Sequence, residues 1–361
     1  MPFFLCNKGN SKLFLRAAAI FVPSKETPLG LSFPLFSAEA LDALTPADFE
    51  AKALRVFRFQ AEHNAVYRRF LHYLGKSPEA VERLDAVPLM PIRFFKTQRV
   101  LSVPDHAHVF ISSGTTGTAL RSTHYIMSLR FYHAVARRAF ERLVGPLERF
   151  YFIGLLPSYL DNPHASLLSM VRDFMTAAGQ DEKPFVRTDF DAVEAHIRRA
   201  RAMGRQSVVF GVAFALLNWI QWGVRTVPDW IIETGGMKGQ RRELVKEEFH
   251  AILREAFPGS RIISEYGMTE LLSQAYSTPQ ASTRMRPPPW MRAVAVDLYD
   301  PLSMLPPGRR GRLGIIDLAN QHSMAFIATD DLGIVHADGT FSILGRYAHA
   351  EVRGCNLLMA L

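Results

Sequence analysis

From Val109 to Ser264 the sequence alternates short apolar runs with longer stretches of helical spacing, and this rhythm constrains the fold more than any other feature. Strand-like runs lie at 149–155, 185–188, 207–212, 230–232 and 261–264, and helix-like ones at 166–178, 192–203, 213–222 and 241–256. Strands separated by a helix's length do not form hairpins; they pair in parallel through crossovers, and a parallel sheet needs cover on both faces. The expected class is therefore α/β, a layered, mostly parallel sheet with helices on both faces. After Pro287-Pro288-Pro289 the period changes, and runs at 290–299, 314–317, 323–327 and 341–344 are separated only by turns. That pattern predicts a small C-terminal antiparallel β-subdomain. The expected division is an N-terminal extension at 1–30, an α/β core at 31–286, and a small β-rich subdomain with a C-terminal tail at 287–361.

A chain of 361 residues that is 48% hydrophobic builds a large core. Its net charge is +8, with arginines clustered at 137–138, 198–205 and 309–312. No aromatic side chains interleave with them, so they read as solvated faces or as attraction for an anionic ligand, and no nucleic-acid partner is expected. Cys6 and Cys355 are the only cysteines. They give neither a disulfide framework nor a cysteine zinc site, which suits a reducing cytoplasm. Arg16 interrupts the apolar run at 13–22, which is too short to span a membrane and lacks a clean signal-cleavage site. Residues 38–75 have helical spacing, with Thr45 expected as an N-cap, Pro46 in the first turn, and Phe57, Phe59, Tyr67, Phe70 and Leu71 on the apolar side. The prolines and apolar residues between Val87 and Phe95 suggest a connection entering the core.

Chemistry concentrates in the segment that follows Val109-Phe110-Ile111. Ser112, Ser113, Gly114, Thr115, Thr116 and Gly117 set hydroxyls beside glycines, the chemistry of a loop that approaches phosphate oxygens closely. No lysine follows Gly117, so this is not a Walker loop. An ordinary flexible Ser/Thr/Gly loop is the plainer alternative. Three further groups follow: Glu233 to Gly239 with Gly235, Gly236 and Lys238; Glu265 to Glu270 with Tyr266, Gly267 and Thr269; and Thr329-Asp330-Asp331, with Gly345-Arg346 beyond. Taken singly, each has a structural reading. Thr269 or Glu270 can start a helix, Tyr266 can be core, Asp331 can sit in an exposed Asx-turn, and Arg346 can be a surface hairpin arginine.

In order and spacing these motifs resemble the nucleotide-handling motifs of the adenylate-forming enzymes, which include acyl-CoA synthetases, luciferase-like ligases and phenylacetate-CoA ligases. The segments Pro91 to Lys96 and Gly235 to Gly239 most resemble the LuxE-type acyl-protein synthetases of bacterial bioluminescence, and the resemblance runs from about Leu35 to the C-terminus. It implies the adenylate-forming large-domain fold and activation of a carboxylic acid, expected to be a fatty acid, with ATP and Mg²⁺. By the same resemblance, Ser112 to Gly117 hold the β- and γ-phosphates, Thr269 meets the α-phosphate, and Glu270 binds Mg²⁺. Asp331 takes the ribose hydroxyls, with Arg346 near ribose and phosphate. Gly235, Gly236 and Gly267 border the adenine and acyl pocket, and Tyr266 stacks on adenine.

Two departures stand out. Generic adenylate-forming ligases carry a further C-terminal domain whose lysine assists adenylation; here the sequence stops soon after Glu351-Val352-Arg353-Gly354, and Ala348 stands where the hinge aspartate is expected. Lys238 is the candidate substitute cation. Cys355 matches the family's acyl-accepting cysteine near the C-terminus, and its plain alternative is a packed apolar residue. The expected activity is acyl-adenylate formation, then transfer to the Cys355 thiol and onward to a protein acceptor, a reductase or carrier. A ligase that transfers to CoA or a carrier thiol, and a non-catalytic acyl- or nucleotide-binding module, are the alternatives. Residues 152, 155, 156, 159, 210 and 214 are candidate linings for an acyl pocket.

Overall fold

The computed structural model describes residues 35–113, 120–235 and 245–347. The elements below belong to the unit that begins at Phe36. It opens with three helices, α1 (Ala38–Asp42), α2 (Phe49–His63) and α3 (Ala65–Tyr73). α2 starts later than the Thr45 cap predicts. The Thr45 hydroxyl instead accepts from the Asp48 N–H at 3.3 Å, closing a turn, and Asp48 is the residue that flanks the helix. Asn64 ends α2 and caps α3 by accepting from the N–H groups of Val66 and Tyr67. The Pro-rich connection enters the core as expected: β1 (Met90–Pro91) pairs in parallel with the long strand Phe326–Val335, and the short helix α4 (Phe94–Thr97) follows.

A hairpin of β2 (His108–Ile111) and β3 (Thr123–Ile126) comes next, followed by α5 (Leu129–Leu143), capped by the Ser128 hydroxyl. The alternating section then runs β4 (Phe150–Leu155), α6 (Ser166–Ala177), β5 (Phe185–Val186), α7 (Phe190–Ala202), β6 (Gln206–Gly211), α8 (Ala213–Trp222), β7 (Trp230–Thr234), α9 (Lys246–Ala256) and β8 (Arg261–Tyr266). Its strands pair in parallel in the order β5-β4-β6-β7-β8. β4 is buried along its whole length, as a strand covered on both faces must be.

Beyond β8 every pairing in the path is antiparallel. The strands are β9 (Ala275–Thr278), β10 (Ala281–Arg286), β11 (Met291–Val296), β12 (Met304–Leu305), β13 (Arg310–Asp317), β14 (Phe326–Val335) and β15 (Phe341–Arg346). β10 pairs with both β9 and β15, so one hydrogen-bonded path runs from the parallel strands into the antiparallel ones. The antiparallel part is larger than the sequence suggests because β9 spans four residues and β10 carries Ser, Thr and Arg in place of an apolar run.

Period-two alternation places the two faces of β8 in different surroundings. On one face Ser264 meets His250 of α9, Oγ to Nε2 3.0 Å. Glu265 lies on the other face, as does Tyr276, its cross-strand partner on β9. There Phe140 of α5 packs edge-on against Tyr276 at 5.7 Å and against Phe152 at 5.5 Å, with Phe174 at 5.0 Å and Phe210 at 6.4 Å. α5 and α9 therefore cover opposite faces. Phe152, Leu155, Leu156 and Phe210 are fully buried, and the two phenylalanines belong to this aromatic core, which accounts for their apolarity without an acyl pocket.

Candidate functional site

The hydroxyl segment leaves the sheet at the end of β2. Ile111 is tethered by its N–H to the His164 carbonyl at 3.0 Å, and its own carbonyl accepts from Asn162 Nδ2 at 2.8 Å. His164 is occupied structurally, its Nδ1 3.2 Å from the Val109 carbonyl. Ser112 continues the ladder on both sides of Ser122: its N–H donates to the Ser122 carbonyl at 3.0 Å, and its hydroxyl accepts from the Ser122 N–H at 2.9 Å. Ser113 follows. Gly114, Thr115, Thr116 and Gly117 lie outside the described residues, as do Gly236, Lys238, His349 and Cys355.

Thr269 and Glu270 form the turn between β8 and β9, so neither starts a helix. Glu270 is 7% exposed, and burial pushes its carboxyl above the usual range against the pull of a hydrogen bond from Ser122 and the charges of Lys96 and Arg346. His124, two residues after Ser122 on β3, places Nδ1 2.7 Å from the Thr269 carbonyl. Asn320 Nδ2 donates to the Glu270 carbonyl at 2.7 Å, and the Asn320 Oδ1 lies 3.0 Å from His124 Nε2. Both partners, the Thr269 carbonyl and the Asn320 amide oxygen, only accept, so a neutral imidazole with its one N–H donates to one of them; the shorter contact, 2.7 Å, assigns that proton to Nδ1. Burial opposes a second proton and lowers the His124 pKa to about 4.

Gly235 ends β7 at φ +72°, a left-handed conformation that favours glycine, and a side chain there would meet the Tyr159 hydroxyl. At Gly267 a Cβ would crowd the Glu265 carboxylate. Glu265 itself is buried on β8 and accepts from the Thr234 hydroxyl. Burial raises its pKa to about 7, the charge of Glu233 adds to this, and the Thr234 hydrogen bond and Lys246 oppose it. Burial acts on Glu233 too, but Lys246 at 3.3 Å and His250 hold that carboxyl below the usual range.

Asp331 lies within β14, opposite Arg346 of β15, rather than in a turn. Its main-chain N–H donates to the Thr329 hydroxyl at 3.2 Å, which in turn donates to the Leu313 carbonyl at 2.7 Å. The Tyr266 hydroxyl donates to Asp331 Oδ2 at 2.9 Å. Tyr266 is 8% exposed and meets Phe341 edge-on at 5.1 Å, so a large part of its ring is core. Arg346 is 87% exposed, with Nε 3.8 Å from Asp331 Oδ1. Burial raises the Asp331 pKa, and Arg346 and the Tyr266 hydroxyl counter it. Asp330, the spacer, is held elsewhere by Arg312 at 3.0 Å and Arg93 at 3.5 Å.

Among the described residues no three His, Cys, Asp or Glu side chains gather as a metal cage. Mg²⁺ takes one or two carboxylates and completes its shell with phosphate oxygens and water. A lone buried carboxylate such as Glu270 fits that ion when a polyphosphate supplies the rest. Sequence reasoning missed Ser122, His124, Asn320, Glu265 and Asp317. Glu265 opens a motif but was given no role there; the others stand in no motif, and their roles depend on partners elsewhere in the chain.

The sequence profile of the family described as "Acyl-protein synthetase, LuxE" matches residues 45–361. The long-chain-fatty-acid–luciferin-component ligase of Vibrio harveyi is 25% identical over 84% of this chain and 85% of its own length. The ligase of the same name from Aliivibrio fischeri is 23% identical over 84% and 85%. Among solved structures, 2-hydroxyisobutyryl-CoA ligase with 2-HIB-AMP and CoA in its thioesterification state superposes with a TM-score of 0.64. It is 15% identical, over 85% of this chain and 70% of that one. The open form of that ligase gives a TM-score of 0.62 at 14% identity, over 82% and 68%. At these identities the likeness establishes the fold.

Proposed function

The chain belongs to the LuxE acyl-protein synthetase family, and from that premise we propose that it activates a fatty acid with ATP and passes the acyl group, through Cys355, to a protein acceptor. The carboxylate attacks the α-phosphorus, a P–O bond to pyrophosphate breaks, and acyl-adenylate remains. Charge neutralisation and alignment dominate such a step. Ser112 and Ser113, with Gly114, Thr115, Thr116 and Gly117, hold the β- and γ-phosphates, and the Thr269 hydroxyl meets the α-phosphate. Glu270 is the side chain that holds Mg²⁺, an ion that supplies charge neutralisation at the phosphates. Asp331, oriented by the Tyr266 hydroxyl, accepts from the ribose hydroxyls while Tyr266 borders the adenine. Gly235, Gly236 and Gly267 leave room for nucleotide and acid. Arg346 turns from Asp331 toward the phosphates, and Lys238 adds the second cation.

In the second step the Cys355 thiolate attacks the acyl carbonyl, AMP leaves, and a thioester forms. This step needs Cys355 as a free thiol, a form that a reducing compartment such as the cytoplasm supports. The observation that carries the reading is the contact between the β2–β3 hairpin that carries Ser112 and the Thr269–Glu270 turn, made by His124 Nδ1 and the Thr269 carbonyl at 2.7 Å. It joins two motifs that an ordinary Ser/Thr/Gly loop has no reason to join.

The test is intact-protein mass after incubation with ATP, Mg²⁺ and a mixture of fatty acids, with Cys355→Ala alongside. We expect a gain of one acyl group that hydroxylamine removes and the variant lacks. Free acyl-adenylate without a mass gain would move the acceptor to an external thiol such as CoA. Neither product would overturn the enzymatic reading.

A further inference from the structure

Both carbonyls of the Thr269–Glu270 turn are met by side chains from distant elements. His124 reaches the first from β3, Nδ1 to O 2.7 Å, and Asn320 reaches the second from the 3₁₀ turn Leu318–Asn320, Nδ2 to O 2.7 Å. His124 is wholly buried, with Phe95 edge-on at 5.4 Å, so its ring cannot swing away. Asn320 is fixed in turn: its own carbonyl accepts from Gln60 Nε2 of α2 at 3.0 Å. Each of these bonds sets the plane of one peptide unit; the two units flank the Glu270 Cα and so fix the direction of its side chain, and the first also bounds Thr269 on one side. Ser112 belongs to the same hairpin as His124, two hydrogen bonds from Ser122.

We propose that His124 and Asn320 are positioning residues, which hold the Thr269 and Glu270 carbonyls so that this turn and the hairpin carrying Ser112 keep the spacing that adenylation needs. The inference rests on the adenylation reading above and adds two residues that no motif contains. Neither side chain touches substrate; both act through the turn.

Acid-dependent exchange of labelled pyrophosphate into ATP, measured on the full chain, tests it. His124→Phe keeps ring volume and loses the donor. His124→Asn restores an amide N–H near the place of Nδ1 but leaves a gap. Asn320→Leu removes the donor to Glu270. We expect His124→Phe and Asn320→Leu to lower kcat about 10- to 100-fold, as loss of alignment does, with KM for ATP changed less than about threefold. His124→Asn should recover about tenfold of that loss while melting below His124→Phe. Rates that follow melting temperature instead of the donor, or variants that exchange at the wild-type rate, would overturn the proposal. Should His124→Phe fail to fold, Asn320→Leu and His124→Asn decide it. A wild-type chain without exchange would remove the adenylation reading, and this inference with it, whereas an active wild type with unaffected variants would remove the inference alone.

Discussion

Glu265 is a carboxyl in a place where charge is expensive: buried on β8, with one hydroxyl donor and a second acid, Glu233, on the neighbouring strand. Its pKa of about 7 against an ordinary value of 4.5 means that the folded state binds the proton more tightly than the unfolded state. The group's contribution is therefore complete below pH 4.5 and is lost as pH rises through about 7. Between pH 5 and pH 8 this predicts a loss of about 2 to 3 kcal/mol from Glu265, on the order of one pKa unit per 1.4 kcal/mol. Urea unfolding of wild type and Glu265→Gln at both pH values should show that the variant loses this much less than wild type; equal losses would place the titration elsewhere. At this scale the candidates Ser112, Thr269, Glu270 and Asp331 were legible in the sequence through the order and spacing of their motifs, although each taken singly has a structural reading. Glu265 and His124 were not, since a glutamate and a histidine become informative only when burial and a remote partner are known.

The β8–β9 turn is an element made by others. Asp317, at the end of β13, accepts from the N–H groups of Leu272 and Ser273 through Oδ2, and from the Ser273 hydroxyl and the Ala319 N–H through Oδ1. Trp290 Nε1 adds a hydrogen bond to the Ser273 hydroxyl at 2.8 Å. Asp317→Ala leaves three buried N–H groups unpaired at once. Each unmet group costs about 1–3 kcal/mol, so the variant should lose about 3 kcal/mol or more. Hydrogen exchange should rise first at 271–273, and protection unchanged there would refute the anchoring role. The same dependence explains why this segment was hard to read. Thr269 followed by an acid looks like a helix start, yet the chain turns back into β9 because its amides are taken by Asp317. Thr45 misleads in the same way, closing a turn ahead of α2 rather than capping it.

Across the whole unit, the parallel strands and α5 share one aromatic core. Phe140 contacts Phe150, Phe152, Phe174, Phe210 and Tyr276, elements spread over more than a hundred residues of chain. Phe140→Ala should cost about 3–5 kcal/mol, and because the ring joins α5 to β4, β6, β9 and α6, the urea transition should shift for near- and far-ultraviolet dichroism together. A separate shift of the near-ultraviolet signal would mean that this cluster melts apart from the sheet.

By itself the sequence determined the parallel run β4 to β8, the change of period after Pro287-Pro288-Pro289, and the motif residues that place the chain in its family. Periodicity and local chemistry are properties of neighbouring residues, and they survive without coordinates. Tertiary structure alone decided that β10 pairs with β15 and so joins the two halves of the sheet, that Tyr266 orients Asp331, and that His124 and Asn320 hold the Thr269–Glu270 turn. Those outcomes depend on which buried donor finds which acceptor, a competition among residues 50 to 145 positions apart that only packing resolves.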